Sequence, residues 1–553
     1  MQISRRAALI GLAAAVPLAS ATLATSADAA TPSNSSGGEA ASLAVTRGDG
    51  SVFQVQHWLN KTFGHINGWV HVKEDGATGP ATVTGLVQAT QSLLGITPVV
   101  AAFGPTTKQK LEEHGAVGGG GPHAETWRRL IQAGLVCKGF SSVALTGTLD
   151  TPTIAAVQVF RRDLSASYRG PLLSPHLFGA LLTPDAVQLA PGGSPTIRTV
   201  QQYFNRTYGE ASGGAYGTTN GLIDSSTYAA AIRAIQIASG STAVDGAWGP
   251  GTAKVLRAAS ASVVGVGSTG PWVQLVTALL VLNRRRIVFD DTFTAADAAV
   301  VRTFQEFQGF PTSAQTGTCS FDTWAALAAS SGDADRSTTG ADMATRLDAP
   351  RAAAITNAGI SVVGRYLTNN AAPGSLDKAM TVDEIAALGA AGLSFWPIFE
   401  EGGFQASWFT LAQGVTDAHR AHDAAIKLGI PSRTTVYFAV DFDATVQQME
   451  TRILPYFRGV AKGLSDRGGR FKAGVYGSRQ VCAAVSNAGL AQFSFTAGMP
   501  TGWVGNQLQP LPANWAFDQI QARKVGAGTV ITDIDAVVVS GRDRGVAAKH
   551  VTH

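Results

Sequence analysis

Two segments, "VFQVQHWLNKTFG" (52–64) and "IRTVQQYFNRTYG" (197–209), constrain the fold more than any other feature of the chain. Related turns follow downstream, "DGATGPAT" (75–82) and "DGAWGPGT" (245–252). Such self-similarity means that one supersecondary unit is built several times, each copy with a small core. Weaker copies run from "TWRRLIQAGL" to "LTGTLDTPTIAAVQVFRRD", and from "PWVQLVTALLVLN" through "FTAADAAVVRTFQEFQGF" to "QTGTCSFDTWAAL". Val, Leu and Phe recur at helical spacing in every copy. Asp-Gly and Gly-Pro then predict a turn with φ > 0 and a stop. The Thr of G-P-x-T falls where an N-cap would open the next helix. The expectation is all-α modules of roughly 60–80 residues, over 46–116, 122–188, 194–260 and 265–330.

These modules resemble peptidoglycan-binding domains of the three-helix type, whose signature is V-x-x-L-Q-x-x-L, then D-G-x-F-G-x-x-T. The aromatic after D-G-x is Trp248 in the later copy and is replaced by Thr78 in the first. "AFGPTTKQKL" (102–111) repeats the turn inside the first module. The resemblance implies attachment to the wall. From the residues alone, helical spacers would fit the same pattern.

The N-terminus reads as an address. Arg5 and Arg6 precede an apolar run from Ala7 to Leu18 and an "ADA" at 27–29, the order of a secretory signal. The "SRR" start resembles a twin-arginine signal. A signal is expected over 1–29 and a Ser/Gly/Ala linker over 30–45. The expectation is therefore a secreted, wall-associated protein, with no membrane span once the signal is removed. Cys137, Cys319 and Cys482 are scattered and odd in number, so neither a disulfide framework nor a cysteine metal site is expected. No cofactor and no metal are expected. A net charge of +4 on 553 residues gives no case for nucleic acid, and it suits work near an anionic wall. Oligomeric state is not readable.

After a second linker (331–337) the character changes. Over 338–545, short apolar runs alternate with helical stretches: "ISVVGRYL", "LSFWPIFE", "TTVYFAVDFD", "FKAGVYGS", "WAFDQIQ" and "VITDIDAVVV" are the runs. Continuous apolar strands between helices predict a parallel sheet buried on both faces. About eight of them in some 200 residues predict an α/β domain, a (β/α)8-type TIM-like barrel, with an open doubly wound sheet as the alternative.

Polar residues stand at the strand ends. Asp342 lies on strand 1, Arg365 at the end of strand 2, and Glu400 and Glu401 after strand 3. Asp441 and Asp443 end strand 4, Tyr476 ends strand 5, Gln519 lies on strand 7, and Asp533 and Asp535 on strand 8. Residues two apart on a strand share a face, so Asp441 and Asp443 would look into one cavity. Converging carboxylates fit glycoside hydrolysis, with one acid protonating the leaving oxygen and another carboxylate stabilising or attacking the sugar. The candidate catalytic residues are Asp342, Glu400, Asp441, Asp443 and Asp533. The candidate substrate-binding residues are Arg365, Tyr476, Gln519 and Asp535. Asp443 could equally be the N-cap of the helix that begins at "ATVQQME".

"VVGRYL", "FWPIFEEG", "VYFAVDFD", "AGVYGS" and "DQI…DIDAVV" look like the glycoside-hydrolase-like domain of secreted actinobacterial proteins, itself similar to family 25 lysozymes. The resemblance implies a barrel that acts on peptidoglycan or a related wall glycan. By motif it maps the strand-1 acid to Asp342, the strand-4 pair to Asp441 and Asp443, and the strand-8 acid to Asp533 or Asp535. Those lysozymes place Glu second in the strand-4 pair as the proton donor. Asp443 is one methylene shorter, so either Glu400 takes that role or the domain binds glycan without cleaving it.

Overall fold

A computed structural model describes residues 50–170, 172–370 and 375–551. The expected signal and first linker lie outside them. The chain divides into two compact units between Leu222 and Ile223, inside the module expected over 194–260.

Among the described residues the named elements of the first unit are helices: α1 (Gly50–Phe63), α2 (Pro80–Leu93), α3 (Pro105–His114), α4 (Ala124–Cys137), α5 (Thr151–Leu164), α6 (Pro175–Leu181) and α7 (Pro195–Tyr208). Its core gathers Leu59, Leu86, Leu130, Phe160 and Phe178, all fully buried. Burying each such side chain contributes about 1.5–3 kcal/mol. The second unit opens with α8 (Ser225–Ala238), α9 (Pro250–Ala258), α10 (Pro271–Leu282), α11 (Ala295–Phe307) and α12 (Phe321–Ala328).

The shared motif is a hydrogen-bonded clamp. Gln236 Nε2 donates to Asp245 Oδ1, Ala247 O and Thr252 Oγ1, and its Oε1 accepts from Gly246 N. Gln56 does the same with Asp75, Ala77, Thr82 and Gly76. Gln91, Gln132, Gln201 and Gln305 also hold a turn N–H and a turn carbonyl, each at its own turn. Asn60 pairs with both backbone groups of Val72, and Asn205 with those of Gly217, twelve residues on in each case. The clamp glutamines are buried, so each bond answers a polar group that water cannot reach.

The turns differ from the sequence expectation in one respect. Gly76 and Gly246 do take φ of 72° and 77°. Gly79 and Gly249, however, are extended N-caps, with Pro80 and Pro250 at the first helical position. Proline there needs no N–H and is preset for the helix. The Thr of G-P-x-T is thus inside the first turn, where its hydroxyl serves the clamp.

Among the described residues nine strands follow: β1 (Gly340–Asp342), β2 (Val362–Tyr366), β3 (Ser394–Phe399), β4 (Thr435–Ala439), β5 (Lys472–Gly477), β6 (Ser494–Ala497), β7 (Trp515–Val525), β8 (Thr532–Val539) and β9 (Val546–Ala547). β1 to β7 pair in parallel and in sequence order, and β8 closes an eight-stranded barrel between β7 and β1. β8 runs antiparallel to both neighbours, where an all-parallel sheet was expected. The six residues between β7 and β8 are too few for a crossover helix, and so they make a hairpin. β9 pairs with Ser394 and Phe395 at the start of β3.

Period-two alternation sorts the strand residues. Trp396, Ile398, Tyr437, Phe495, Phe517 and Val537 fill the barrel, with Trp396 stacked on Phe517 at 4.0 Å. Phe395, Val436, Phe438 and Val475 face the helices outside.

The barrel is tied to the segment before it. Trp515 Nε1 donates to Phe307 O (3.0 Å), Ser330 Oγ to Gly498 O (2.6 Å), and Arg479 to Ser330 O (2.6 Å). Arg523 donates to Ala334 O and Arg336 O, so the stretch expected as linker 331–337 lies against the barrel. Asp518 is buried there, with Thr496 Oγ1 at 2.7 Å and Arg479 and Arg336 at 3.4 and 3.7 Å. Burial pushes its carboxyl up, and the two guanidiniums pull it back.

Candidate functional site

At the carboxyl ends of the parallel strands the inward alternation continues with polar residues. Asp342 ends β1, Tyr366 ends β2, Glu400 follows β3, Asp441 follows β4, Tyr476 lies near the end of β5 and Gln519 sits on β7. The antiparallel course of β8 brings its beginning to this face: Asp535 is the cross-strand partner of Asp342. A reversed strand therefore delivers its acid from its first half, where a parallel one would deliver it from its last.

Gln519 organises the centre. Its Nε2 donates to Asp342 Oδ2 (2.7 Å) and Asp535 Oδ2 (3.0 Å), and its Oε1 accepts from Tyr476 Oη (3.0 Å). Two carboxylate oxygens on one amide nitrogen lie within about 6 Å of each other. Asp342 and Gln519 are buried and Asp535 is half-buried. Gly364 makes room for this arrangement: a Cβ there would meet Trp396 at 2.7 Å and Asp342 Cβ at 2.8 Å.

Glu400 is buried and ion-paired to Lys378 Nζ at 2.5 Å, and that ammonium lies 3.9 Å over the Tyr366 ring. Lys378 was not foreseen, because it stands in the loop after β2 with no strand-end pattern to mark it. Glu401 turns the other way, into the helix layer. Its Oε2 lies 2.5 Å from Arg420, and Asp417 is buried nearby under Tyr456 Oη (2.8 Å) and Gln413 (2.7 Å). Burial pushes both carboxyls up, against the hydrogen bonds that Asp417 accepts and against Thr368 and Arg420 at Glu401.

The two strand-4 acids have different surroundings. Asp441 is held by its backbone N–H on Gly403 O at 2.8 Å. Asp443 accepts from the backbone amides of Val504 (2.7 Å) and Gly505 (3.0 Å), one on each oxygen. The N-cap of the following helix is instead Thr445, in a reciprocal capping box with Gln448. Its hydroxyl sits three residues ahead of the Gln448 N–H, the spacing a cap needs.

Two further candidates lie away from this centre. Arg365 is fully buried on the outer side of β2, where it grips both oxygens of Glu384 at 2.7 and 3.2 Å and donates to Lys378 O and Met343 O. It anchors the loop that carries Lys378 and does not face the barrel interior. Asp533 is exposed on the β7–β8 hairpin, opposite Lys524 and 3.0 Å from its Nζ. A cleft of about 510 Å³ lined by Phe307, Trp515 and Arg542 lies at the other end of the barrel, where β7 begins and β8 ends.

FadG of Bacillus subtilis (strain 168) is 35% identical over 505 residues, which cover 90% of this chain and 86% of FadG. The chain belongs to the FadG/YbfG family. YbfG of the same organism is 36% identical over 511 residues, covering 90% of this chain and 68% of YbfG. Within the FadG/YbfG family chain, residues 353–539 match the profile of the Rv2525c-like, glycoside hydrolase-like domain. Residues 190–328 match that of the FadG/YbfG, PGDB-like domain. Among solved structures, the Tat-secreted Mycobacterium tuberculosis protein Rv2525c in complex with HEPES is 24% identical, covers 38% of this chain and 98% of its own, and has a TM-score of 0.32. A protein of B. stearothermophilus solved at 1.07 Å is 18% identical, with a TM-score of 0.28, over 37% of this chain and 96% of its own. Among the described residues, no helix is long and apolar enough to cross a membrane.

Proposed function

We propose that this protein is secreted and wall-associated, and that the carboxyl-end face of its barrel binds a strand of peptidoglycan or a related glycan and hydrolyses a glycosidic bond. One observation carries the reading: Asp342, Glu400, Asp441 and Asp535 converge on the carboxyl-end face, with Gln519 joining two of them. That face is where barrel enzymes build their sites. Carboxyl groups about 5–5.5 Å apart serve retaining hydrolysis, against about 6.5–9.5 Å for inversion. The shared amide keeps Asp342 and Asp535 close together on that face. Asp441 then faces the sugar from the opposite side of the barrel mouth. The helical modules keep the chain on the wall, and the clamp motif builds their shape; sugar contacts come from side chains outside the clamp.

A second reading, glycan binding without cleavage, is favoured by two contacts. Asp443 spends both oxygens on backbone amides, and Glu400 is half of an ion pair. Neither offers a proton readily.

The test incubates the purified full chain with insoluble peptidoglycan. Retention with release of reducing ends, lost in Asp342→Asn and in Asp441→Asn, supports hydrolysis. Retention without release selects the binding reading. Absence of retention removes the wall reading altogether.

A further inference from the structure

The β6–β7 connection is built around one aromatic. Trp503 is half-buried and packs on the apolar cluster that fills the barrel, whose members at this end are Tyr366, Ala439, Tyr476 and Ala497. No acceptor for its indole N–H occurs among the described residues. The residues after it are locked from three strands. Asp443, beyond β4, takes the N–H groups of Val504 and Gly505. Asn506 donates to Ala497 O at the end of β6 (2.8 Å) and to Pro500 O (3.1 Å). The Oδ1 of Asn506 accepts from Arg479 N, beyond β5, at 2.9 Å. Trp503 itself closes the turn, its N–H on Pro500 O (3.0 Å) and its C=O receiving Asn506 N (2.9 Å).

These bonds fix the turn from three sides. What they fix is a large flat ring with an open donor, on the same face as Asp441 and Tyr476. Trp combines an apolar face, which can lie against the C–H face of a pyranose, with a polar handle at its edge. We propose that Trp503 is a sugar-stacking residue at the rim of this face and that Asp443 is the positioning residue that holds it. This deepens the glycan reading and rests on it. It also accounts for Asp at 443: a short carboxylate caught by two amides is a brace for the neighbouring loop.

The test titrates the full chain with a soluble β-1,4-linked N-acetylglucosamine hexamer by calorimetry. Trp503→Ala is expected to weaken binding about tenfold or more, the loss seen when an anchoring aromatic is removed. Trp503→Leu, which keeps apolar packing but has no flat face, is expected to lose as much. Asp443→Ala is expected to weaken binding too, and to add little in the Trp503→Ala background, since coupled residues are not additive. Unchanged affinity in Trp503→Leu overturns the stacking role and leaves the glycan reading standing. Fully additive losses overturn the positioning role of Asp443. A wild-type chain that does not bind the hexamer overturns the inference together with the glycan reading.

Discussion

The Nζ of Lys378 lies 2.5 Å from Glu400 Oε2, with both side chains nearly inaccessible to water. Removing one partner of a buried pair strands the other charge, at a cost of about 3–5 kcal/mol. Lys378→Met is therefore expected to destabilise the barrel by about 3 kcal/mol in urea unfolding. Lys378→Met combined with Glu400→Gln is expected to recover a large part of that loss.

Gln519 serves Asp342, Asp535 and Tyr476 at once. Gln519→Leu removes all three bonds, and hydrogen bonds to charged groups contribute about 1.5–3 kcal/mol each. The expected outcome is a folded but weakened barrel whose glycan activity, hydrolytic or binding, falls by about 100-fold, the penalty of misplaced site groups. Tyr476→Phe removes only the outer bond and should cost about 1 kcal/mol. Thermal unfolding and parallel assays on both variants check the order.

Burial raises the folded-state titration of Glu401 above that of the unfolded chain. Such a group adds stability while protonated and loses that contribution as pH climbs through its raised titration. Glu401→Gln stays neutral throughout. Below the ordinary carboxylate range, about pH 4, wild type and variant should be alike. As pH rises toward neutrality, the variant should become progressively the more stable of the two. Arg420, whose side chain is 46% exposed, loses its partner at little cost. Thermal midpoints of both proteins across pH give the difference directly.

Gln236→Ala leaves the buried Gly246 N–H without its partner, whereas the exposed Ala247 carbonyl keeps the Thr252 hydroxyl. A buried group left unsatisfied costs about 1–3 kcal/mol, so a loss of that order is expected in urea unfolding. Trp248→Ala, on a half-buried residue outside the clamp, should cost less. If the modules hold glycan through exposed aromatics, Trp248→Ala should instead lower retention on peptidoglycan.

Much of this molecule was readable as pattern. Helical spacing located α1, α2, α7 and α9, because an amphipathic helix repeats its apolar residues whatever its neighbours are. Alternating apolar runs located the barrel strands, and the polar residues at their ends marked Asp342, Glu400, Asp441 and Gln519. The direction of β8 was not readable, because an apolar run is the same pattern in either sense. Lys378 and Trp503 were not readable either. Both stand in loops, where position is set by partners far away in sequence: Glu400 for one, Asp443 through its neighbours for the other.

The repeat motif shows the same division. The sequence by itself determined that Gln56 and Gln201, Asn60 and Asn205, and the D-G-A-x-G-P-x-T turns belong to one design, since similar local instructions recur at two places. Only the tertiary structure decided what the design is for. A glutamine and the turn it clamps are ten to twenty residues apart, and their hydrogen bonds exist only when the helix and the turn are packed together, out of reach of water. At the barrel rim the physics is the same. Sequence supplied the carboxylates; folding decided that Gln519 joins two of them, that Lys378 neutralises Glu400, and that Asp443 spends its charge on the backbone of a neighbouring loop.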